Sequence, residues 1–262
     1  MHDRSMVVAA GFVLAALALG CGACKRRNDS SATPRELTTA EAVIEASIAA
    51  QGGRDALGKI TSIRQSGTIR IRGQNITGRF SLIARAPRSS VMVVDLERLG
   101  TNITAVAGDV AWTKDPSAGY RIATGAERET LLRELTFNAD VSWKQLYRSA
   151  ELEGQVDFAG TTAYKVVLTA NDGAVQTRYF ANDTLLQIGT ETVASTPAGP
   201  LAVQQISSDF RAVSGVKYAH KLVLHQGLAT LEFTIDKLET NVELPADAFA
   251  LPAELQRDQP AN

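Results

Sequence analysis

A mainly β fold is predicted by three features of this 262-residue chain. From residue 63 onward, short segments that alternate apolar and polar residues recur every ~8–12 residues, the spacing of an all-β sandwich or barrel. Turn residues such as Gly73-Gln74-Asn75, Gly108-Asp109 and Asn171-Asp172-Gly173 separate them. One helical stretch, residues 124–147, interrupts the series, so strands lie on both sides of it. About ten or eleven strands are expected. No composition break divides them, so residues 37–262 read as one body domain.

The chain opens with a segment that belongs to export rather than to the fold. Arg4 precedes the apolar run 6–19, which is too short for an ordinary membrane span and suits the core of a signal peptide. The run ends in Ala18-Leu19-Gly20-Cys21, similar to a bacterial lipobox, with Ala18 where leucine is usual. Residues 1–20 are therefore expected to be removed, and Cys21 is the expected lipid anchor. Two alternatives stay open: a plain secretory cut, and a redox pair formed by Cys21 and Cys24. No βαβ pattern surrounds the two cysteines, which disfavours the redox pair. Residues 21–36 are polar and contain Pro34, the composition of a tether. Lys25, Arg26 and Arg27 would lie beside lipid head groups or form a solvated flank.

The body begins with a helix over residues 38–51, capped by Thr38 with Glu41 and stopped by Gly52-Gly53. In residues 63–72, Ile63, Gly67, Ile69 and Ile71 share one face, while Arg64, Ser66, Thr68, Arg70 and Arg72 share the other. Residues 76–85 return with Ile76, Gly78, Phe80, Leu82 and Ala84 on one side. One wet face and one apolar face mark an antiparallel sheet covered on one side, and the arginine row is the solvated face. Segments near 91–99, 101–107, 110–114 and 120–123 lead to the interruption. Those near 150–158, 162–170, 175–180, 185–193, 201–210, 216–225 and 228–238 follow it.

Within the interruption, Leu131, Leu132 and Leu135 recur at helical spacing, and Arg128, Glu129, Arg133 and Glu134 fill the other face. Thr124 with Glu127 forms a capping-box start, and Glu129 with Arg133 is a favourable i,i+4 pair. Asn138 and Asp140 break the pattern before Val141, Trp143, Leu146 and Tyr147. The leucine face has a natural home on the sheet, where it either seals a core or covers a pocket.

Composition and motifs exclude several function classes. The net charge of −1 supplies no basic field for nucleic acid. The only cysteines are Cys21 and Cys24, so the body has no disulfide and no cysteine metal site. His220 and His225 are five residues apart on one strand and point to opposite faces, so they do not chelate one metal together. No nucleophile elbow and no zinc-protease helix is present. Asp95 and Glu97 share a strand face, which reads as a charged edge rather than an acid–base pair. No catalytic residue, metal ligand or cofactor is assigned.

An ordered set of short matches carries a resemblance. Gly52-Gly53, Ala56-Leu57, Ile60, Ser62 and Gly67 come first, then Asp109 with Trp112, Leu146-Tyr147 to Gly154, and Tyr179-Phe180. Asp209-Phe210-Arg211 with Gly215-Val216-Lys217-Tyr218-Ala219-His220 follows, and Phe249-Ala250-Leu251-Pro252 closes the set. Together these resemble the LolA/LolB-like lipoprotein carrier superfamily, especially its outer membrane lipoprotein-sorting branch. Departures include Val110, Ala181, Ser214 and Ala219, where the family pattern has other residues. The resemblance implies a single antiparallel sheet curled into an unclosed barrel, with helices packed in its concave mouth and an apolar hollow for acyl chains.

On that resemblance, Phe80, Leu82, Met92, Val94, Leu131, Leu132, Leu135, Phe137 and Trp143 are the candidate cavity residues. Each methylene moved out of water contributes about 0.8 kcal/mol, so such a site needs no polar motif. The expected function is binding of lipid or lipoprotein acyl chains in lipid or lipoprotein transport or sorting. The protein would face the periplasm, anchored through Cys21, with the outer membrane favoured because Gly22 rather than aspartate follows the cysteine. The competing expectation is the same fold with a closed core, binding another envelope protein and no lipid. A hydrolase is the third alternative, to be revived by a concave site with a strongly perturbed carboxylate or histidine.

Overall fold

Consecutive strands pair with one another on either side of the helical interruption, and one further pairing joins the first strand to the last. A computed structural model describes residues 37–256, so the signal segment 1–20, the tether 21–36 and Cys21 lie outside the described residues. The order is α1 (Ala40–Gln51), α2 (Arg54–Gly58), β1 (Ser62–Ile71), β2 (Ile76–Arg85), β3 (Ser89–Leu96), β4 (Gly100–Ala107), β5 (Val110–Asp115) and β6 (Gly119–Ile122). Then come α3 (Gly125–Glu134), α4 (Trp143–Leu146), β7 (Tyr147–Phe158), β8 (Thr161–Ala170), β9 (Val175–Ala181) and β10 (Gln187–Thr196). The series ends with β11 (Gly199–Val213), β12 (Val216–Gln226), β13 (Ala229–Thr240) and α5 (Ala253–Gln256).

The thirteen strands of the described residues form one antiparallel sheet in the order 6-5-4-3-2-1-13-12-11-10-9-8-7. Ten or eleven is too low a count: every alternating segment read from the sequence, the short 110–114 and 120–123 included, forms a strand of its own. Since β1 pairs with β13, the sheet's two free edges are β6 and β7, and it is not closed into a barrel. Those strands flank the helical interruption. The chain between them, α3 through α4, must therefore pass from one edge of the sheet to the other. Accordingly α3 packs against β5 on one side and β10 on the other.

Two glycines let the central strands approach closely. A Cβ on Gly67, where the β1–β13 register slips, would lie 1.9 Å from the Thr234 carbonyl oxygen. One on Gly78 would lie 2.1 Å from that of Asp95. Glycine in a strand interior marks such bulges and close passes. The inner face of the central strands forms one core cluster, including Ile69, Phe80, Leu82, Met92, Val94, Leu222, Leu224, Phe233 and Ile235. Phe80 and Phe233 meet edge to face at 5.2 Å. A second cluster joins Val43, Ile44 and Ile48 of α1 to Tyr164, Val166 and Leu168 of β8 and to Tyr218 of β12.

The outer face is polar as expected, and its arginines are organised. Arg70 and Arg72 both bind Glu232 across the β1–β13 pair, with Arg70 Nε at 2.9 Å and Arg72 Nε at 2.7 Å. One apolar island interrupts this face, where the Phe158 and Tyr179 rings stack at 3.9 Å above Gly189.

Helix ends differ from the sequence expectation. Thr39, not Thr38, caps α1, accepting from the Ala42 amide at 3.1 Å. Glu41 is drawn instead to Lys144 on α4. Thr124 makes no side-chain cap on α3, because Glu127 pairs with Arg121 through two bonds of 2.6 Å. The helical pattern, which in the sequence breaks at Asn138 and Asp140, already stops at Glu134.

Candidate ligand cavity

Beyond Glu134 the chain runs through turns to α4, and this stretch, residues 135–142, is here called the plug. It seats Leu135, Phe137 and Val141 in the hollow of the sheet and leaves a cavity of about 90 Å³. Leu57, Ile63, Leu82, Met92, Leu135 and Phe137 form the apolar wall, while Gln51, Glu134 and Asp140 form a polar end.

The nine residues singled out from sequence fall in different places. Leu82, Met92, Leu135 and Phe137 line the cavity. Phe80 and Val94 sit deeper along the strands in the central cluster, away from it. Leu131 and Leu132 belong to a separate cluster with Val106, Ala111 and Ala123. Trp143 packs with α1, its Nε1 donating to Glu45 at 3.3 Å. Helical spacing correctly gathers Leu131 and Leu132 on one face of α3, but that face meets β4, β5 and Ala123 just ahead of the helix rather than the cavity.

A buried polar network fastens the plug to the sheet. Arg178 on β9 is only 3% exposed. Its Nη1 donates to Asp140 Oδ1 at 2.6 Å, its Nε to Gln176 Oε1 at 2.7 Å and its Nη2 to the Tyr147 hydroxyl at 3.3 Å. The Tyr147 hydroxyl donates to Gln176 Oε1 at 2.8 Å, and Gln176 Nε2 donates to Glu134 at 2.9 Å. Arg133 turns inward at the end of α3 and donates to Asp172 Oδ2 at 2.9 Å. From the helix side, Gln51 Nε2 donates to Asp140 Oδ2 at 3.3 Å. Asn138 Nδ2 donates to the Leu57 carbonyl at 2.8 Å and Arg54 Nη1 to the Val141 carbonyl at 2.9 Å.

This overturns the sequence placement of Arg133 and Glu134 on a solvent face. α3 lies between the two edges of the sheet, so both of its sides are covered, and these two side chains are 7% and 5% exposed. The i,i+4 partnership of Arg133 with Glu129 is also not formed; Arg133 takes Asp172, and Glu129 takes Arg128 at 2.5 Å.

Burial shapes the ionisation of the network. Burial pushes the Glu134 carboxyl upward, with Arg133 and Arg178 opposing. Burial alone would weaken the Arg178 proton, but Tyr147 and Asp140 outweigh it and hold the guanidinium firmly charged. Burial raises the Asp172 carboxyl, and the Ala174 amide and Arg133 outweigh it to set it low. Two cations thus pair directly with Asp140 and Asp172, beside a third carboxyl, Glu134, that burial favours in its neutral form.

Asp140, Gln176 and Arg178 were not singled out from sequence, although β9 held a signal. Gln176, Arg178 and Phe180 alternate onto one face, so two polar side chains share the face of a buried phenylalanine. A polar inner face demands a polar mate, and the Asp140 that breaks the helical pattern supplies it. His220 is buried with Nδ1 2.8 Å from the Tyr218 carbonyl, and His225 lies beside Thr230 at 3.0 Å. Among the described residues no three His, Cys, Asp or Glu side chains converge as metal ligands.

Comparison with solved structures bears on this architecture. A DUF1329 family protein from Desulfovibrio piger superposes with a TM-score of 0.57 at 14% identity, over 80% of this chain and 96% of that one. A LolA superfamily protein from Nitrosomonas europaea gives 0.54 at 13% identity, over 82% and 99%. The fold is LolA-like. A protein described as an outer membrane lipoprotein-sorting protein domain, from Vibrio parahaemolyticus, gives 0.51 at 11% identity, over 80% and 97%. No protein-family model matches the chain, and no curated protein matches it. At these identities the likeness concerns the LolA-like fold, which agrees with the unclosed sheet and the helices in its mouth.

Proposed function

We propose that this protein is an envelope binding protein, anchored through a lipid on Cys21, whose LolA-like sheet takes up acyl chains of lipid or lipoproteins for transport or sorting. One observation carries the reading: the apolar hollow of an open sheet is stopped by a segment without regular structure, held there by polar contacts. The cavity of about 90 Å³ is well below the ~300 Å³ of ordinary ligand sites. A long acyl chain therefore enters by taking the places of Leu135 and Phe137, with that end of the plug lifting outward while Asp140 stays seated on Arg178. The chain replaces apolar contacts with apolar contacts, while the released polar groups of the plug meet water.

The LolA superfamily and lipoprotein-sorting names of the structural neighbours support a role in the bacterial envelope, facing the periplasm. Cys21 followed by Gly22 favours the outer membrane and a tethered holder or acceptor over a diffusing shuttle. The protein is read as a binder and not as an enzyme.

The test is native mass spectrometry with organic extraction on residues 21–262 carrying Cys21→Ser, produced in a bacterial periplasm so that no acyl chain is attached covalently. Discrete added masses that extract as lipid are expected. A bare mass, with unfolding insensitive to added lipid, overturns the reading. It would favour the second one, a closed-core module that binds an envelope protein, for which the small cavity and the outer Phe158–Tyr179 island speak.

A further inference from the structure

We propose that the polar end of the cavity selects the head group: it takes a neutral, hydroxyl-bearing amphiphile and discriminates against free carboxylate and phosphate head groups. This rests on the acyl-chain reading above and specifies its ligand. Gln51, the last residue of α1, is 1% exposed and lines the cavity. Its amide orientation is fixed by its partners. Nε2 must face Asp140 Oδ2 at 3.3 Å and Ser47 Oγ at 3.5 Å, since the reversed amide would set oxygen against carboxylate. That leaves Oε1 as the unpartnered end of a buried side chain on the cavity wall, with no hydrogen-bond donor among the described residues. A buried acceptor without a donor is costly, and a ligand that donates to it removes the cost.

The neighbours of that oxygen determine the charge of the head group. Asp140 and Glu134 border the same end of the cavity, and neither presents a positive group to it. The two nearby cations are already committed, Arg178 to Asp140 at 2.6 Å and Arg133 to Asp172 at 2.9 Å. An anionic head group would meet carboxyl and amide oxygens with no free cation to balance it, in a site too dry to screen the repulsion. A hydroxyl suits both features, because it donates to Gln51 Oε1 and brings no charge. Its source is the glycerol of an acylglycerol or the sugar of a glycolipid. In either case the tail runs along Leu82 and Met92 in the space vacated by Phe137.

The experiment measures binding of four ligands with the same dodecyl-length tail to residues 21–262 carrying Cys21→Ser, below their micelle concentrations. Monolaurin and dodecyl glucoside carry hydroxyls from glycerol and sugar respectively, methyl laurate carries no donor, and laurate carries a charge. The hydroxyl-bearing ligands are expected to bind about tenfold tighter than methyl laurate, the value of one donor supplied to a buried acceptor, and laurate weakest of all. The tighter of monolaurin and dodecyl glucoside identifies the hydroxyl source. The Gln51→Met variant is expected to bring monolaurin within about twofold of methyl laurate. Equal affinity for monolaurin and methyl laurate, or tightest binding of laurate, overturns the head-group proposal while leaving the acyl-chain reading intact. Failure of all four to bind overturns the acyl-chain reading and this proposal with it. The ligand series in the unsubstituted site decides the matter even where Gln51→Met does not fold.

Discussion

Two regions bury side chains in the same hollow by opposite means. The central strands do so with a continuous apolar face, where Phe80, Phe233, Leu222 and Ile235 pack at fixed strand register. The plug does so with a few apolar residues secured by a charged network, Asp140 to Arg178 and Glu134 to Gln176. The first is bound into the ladder on both sides and has nowhere to go. The second has no ladder: its apolar side chains sit in the hollow, and polar contacts hold the segment that carries them. One hollow is thus closed in two ways, by strand register and by side-chain pairs, and each is broken by a different kind of substitution.

The largest effects should come from breaking each region in its own way. Phe233→Ala is expected to cost about 3–5 kcal/mol in chemical denaturation, with no second substitution that restores it. Arg178→Met should cost about as much, ~3–5 kcal/mol, because it strands the Asp140 carboxylate in the interior. Here, however, the double variant Arg178→Met with Asp140→Leu should recover most of the loss, since a buried pair replaced whole by apolar groups is often neutral. Recovery in the second case and none in the first would separate the two kinds of core.

Next in size is the strand crossing. Gly67→Ala forces a methyl into the space of the Thr234 carbonyl, 1.9 Å away, and should cost about 1–3 kcal/mol by the same measurement. The loss should come without any change in the pH dependence of stability.

A smaller effect sharpens the polar side. Burial raises the Glu134 carboxyl above its ordinary value of 4.5. The folded state then holds a proton that the unfolded chain has released, so the contribution of this group is fully present below the unfolded value and lost as pH rises through the folded one. Glu134→Gln keeps the Gln176 contact and removes that loss. A higher melting temperature at neutral pH and a flatter stability profile above pH ~4.5 are expected by calorimetry. An unchanged profile would show that Glu134 does not carry the dependence.

The smallest effect is expected at the surface. Arg54 pairs with Glu45 at 2.6 Å, both half exposed, and Arg54→Ala should shift global stability by about 1 kcal/mol or less. It also removes the bond to the Val141 carbonyl. Hydrogen exchange should therefore quicken in residues 139–147 while the central strands stay protected.

The strands were legible in sequence because a half-buried sheet writes a period of two, and β1 and β2 show it plainly. The cavity was legible only in part. Leu82 and Met92 follow from strand alternation, and Leu135 and Phe137 from the apolar residues that run past the helix. Leu131 and Leu132 show the same helical face and yet meet Val106 and Ala123, because periodicity reports that a face is apolar without reporting what it touches. Arg133 and Glu134 were misplaced for a related reason. The rule that charged residues face water assumes that a helix has one covered side, and α3 has two.

The sequence by itself determined the alternation, the turns, the single helical interruption and the resemblance that gave the fold its outline. Those are local properties, set by the stereochemistry of each segment and the polarity of neighbouring side chains. Only the tertiary structure decided that β1 pairs with β13, since that bond joins residues at opposite ends of the body. From that one pairing follow the free edges at β6 and β7 and the passage of the plug across the mouth. The meeting of Arg178, Asp140 and Gln51 follows too, because three residues from a strand, a turn and a helix share an environment only once the sheet has curled around them.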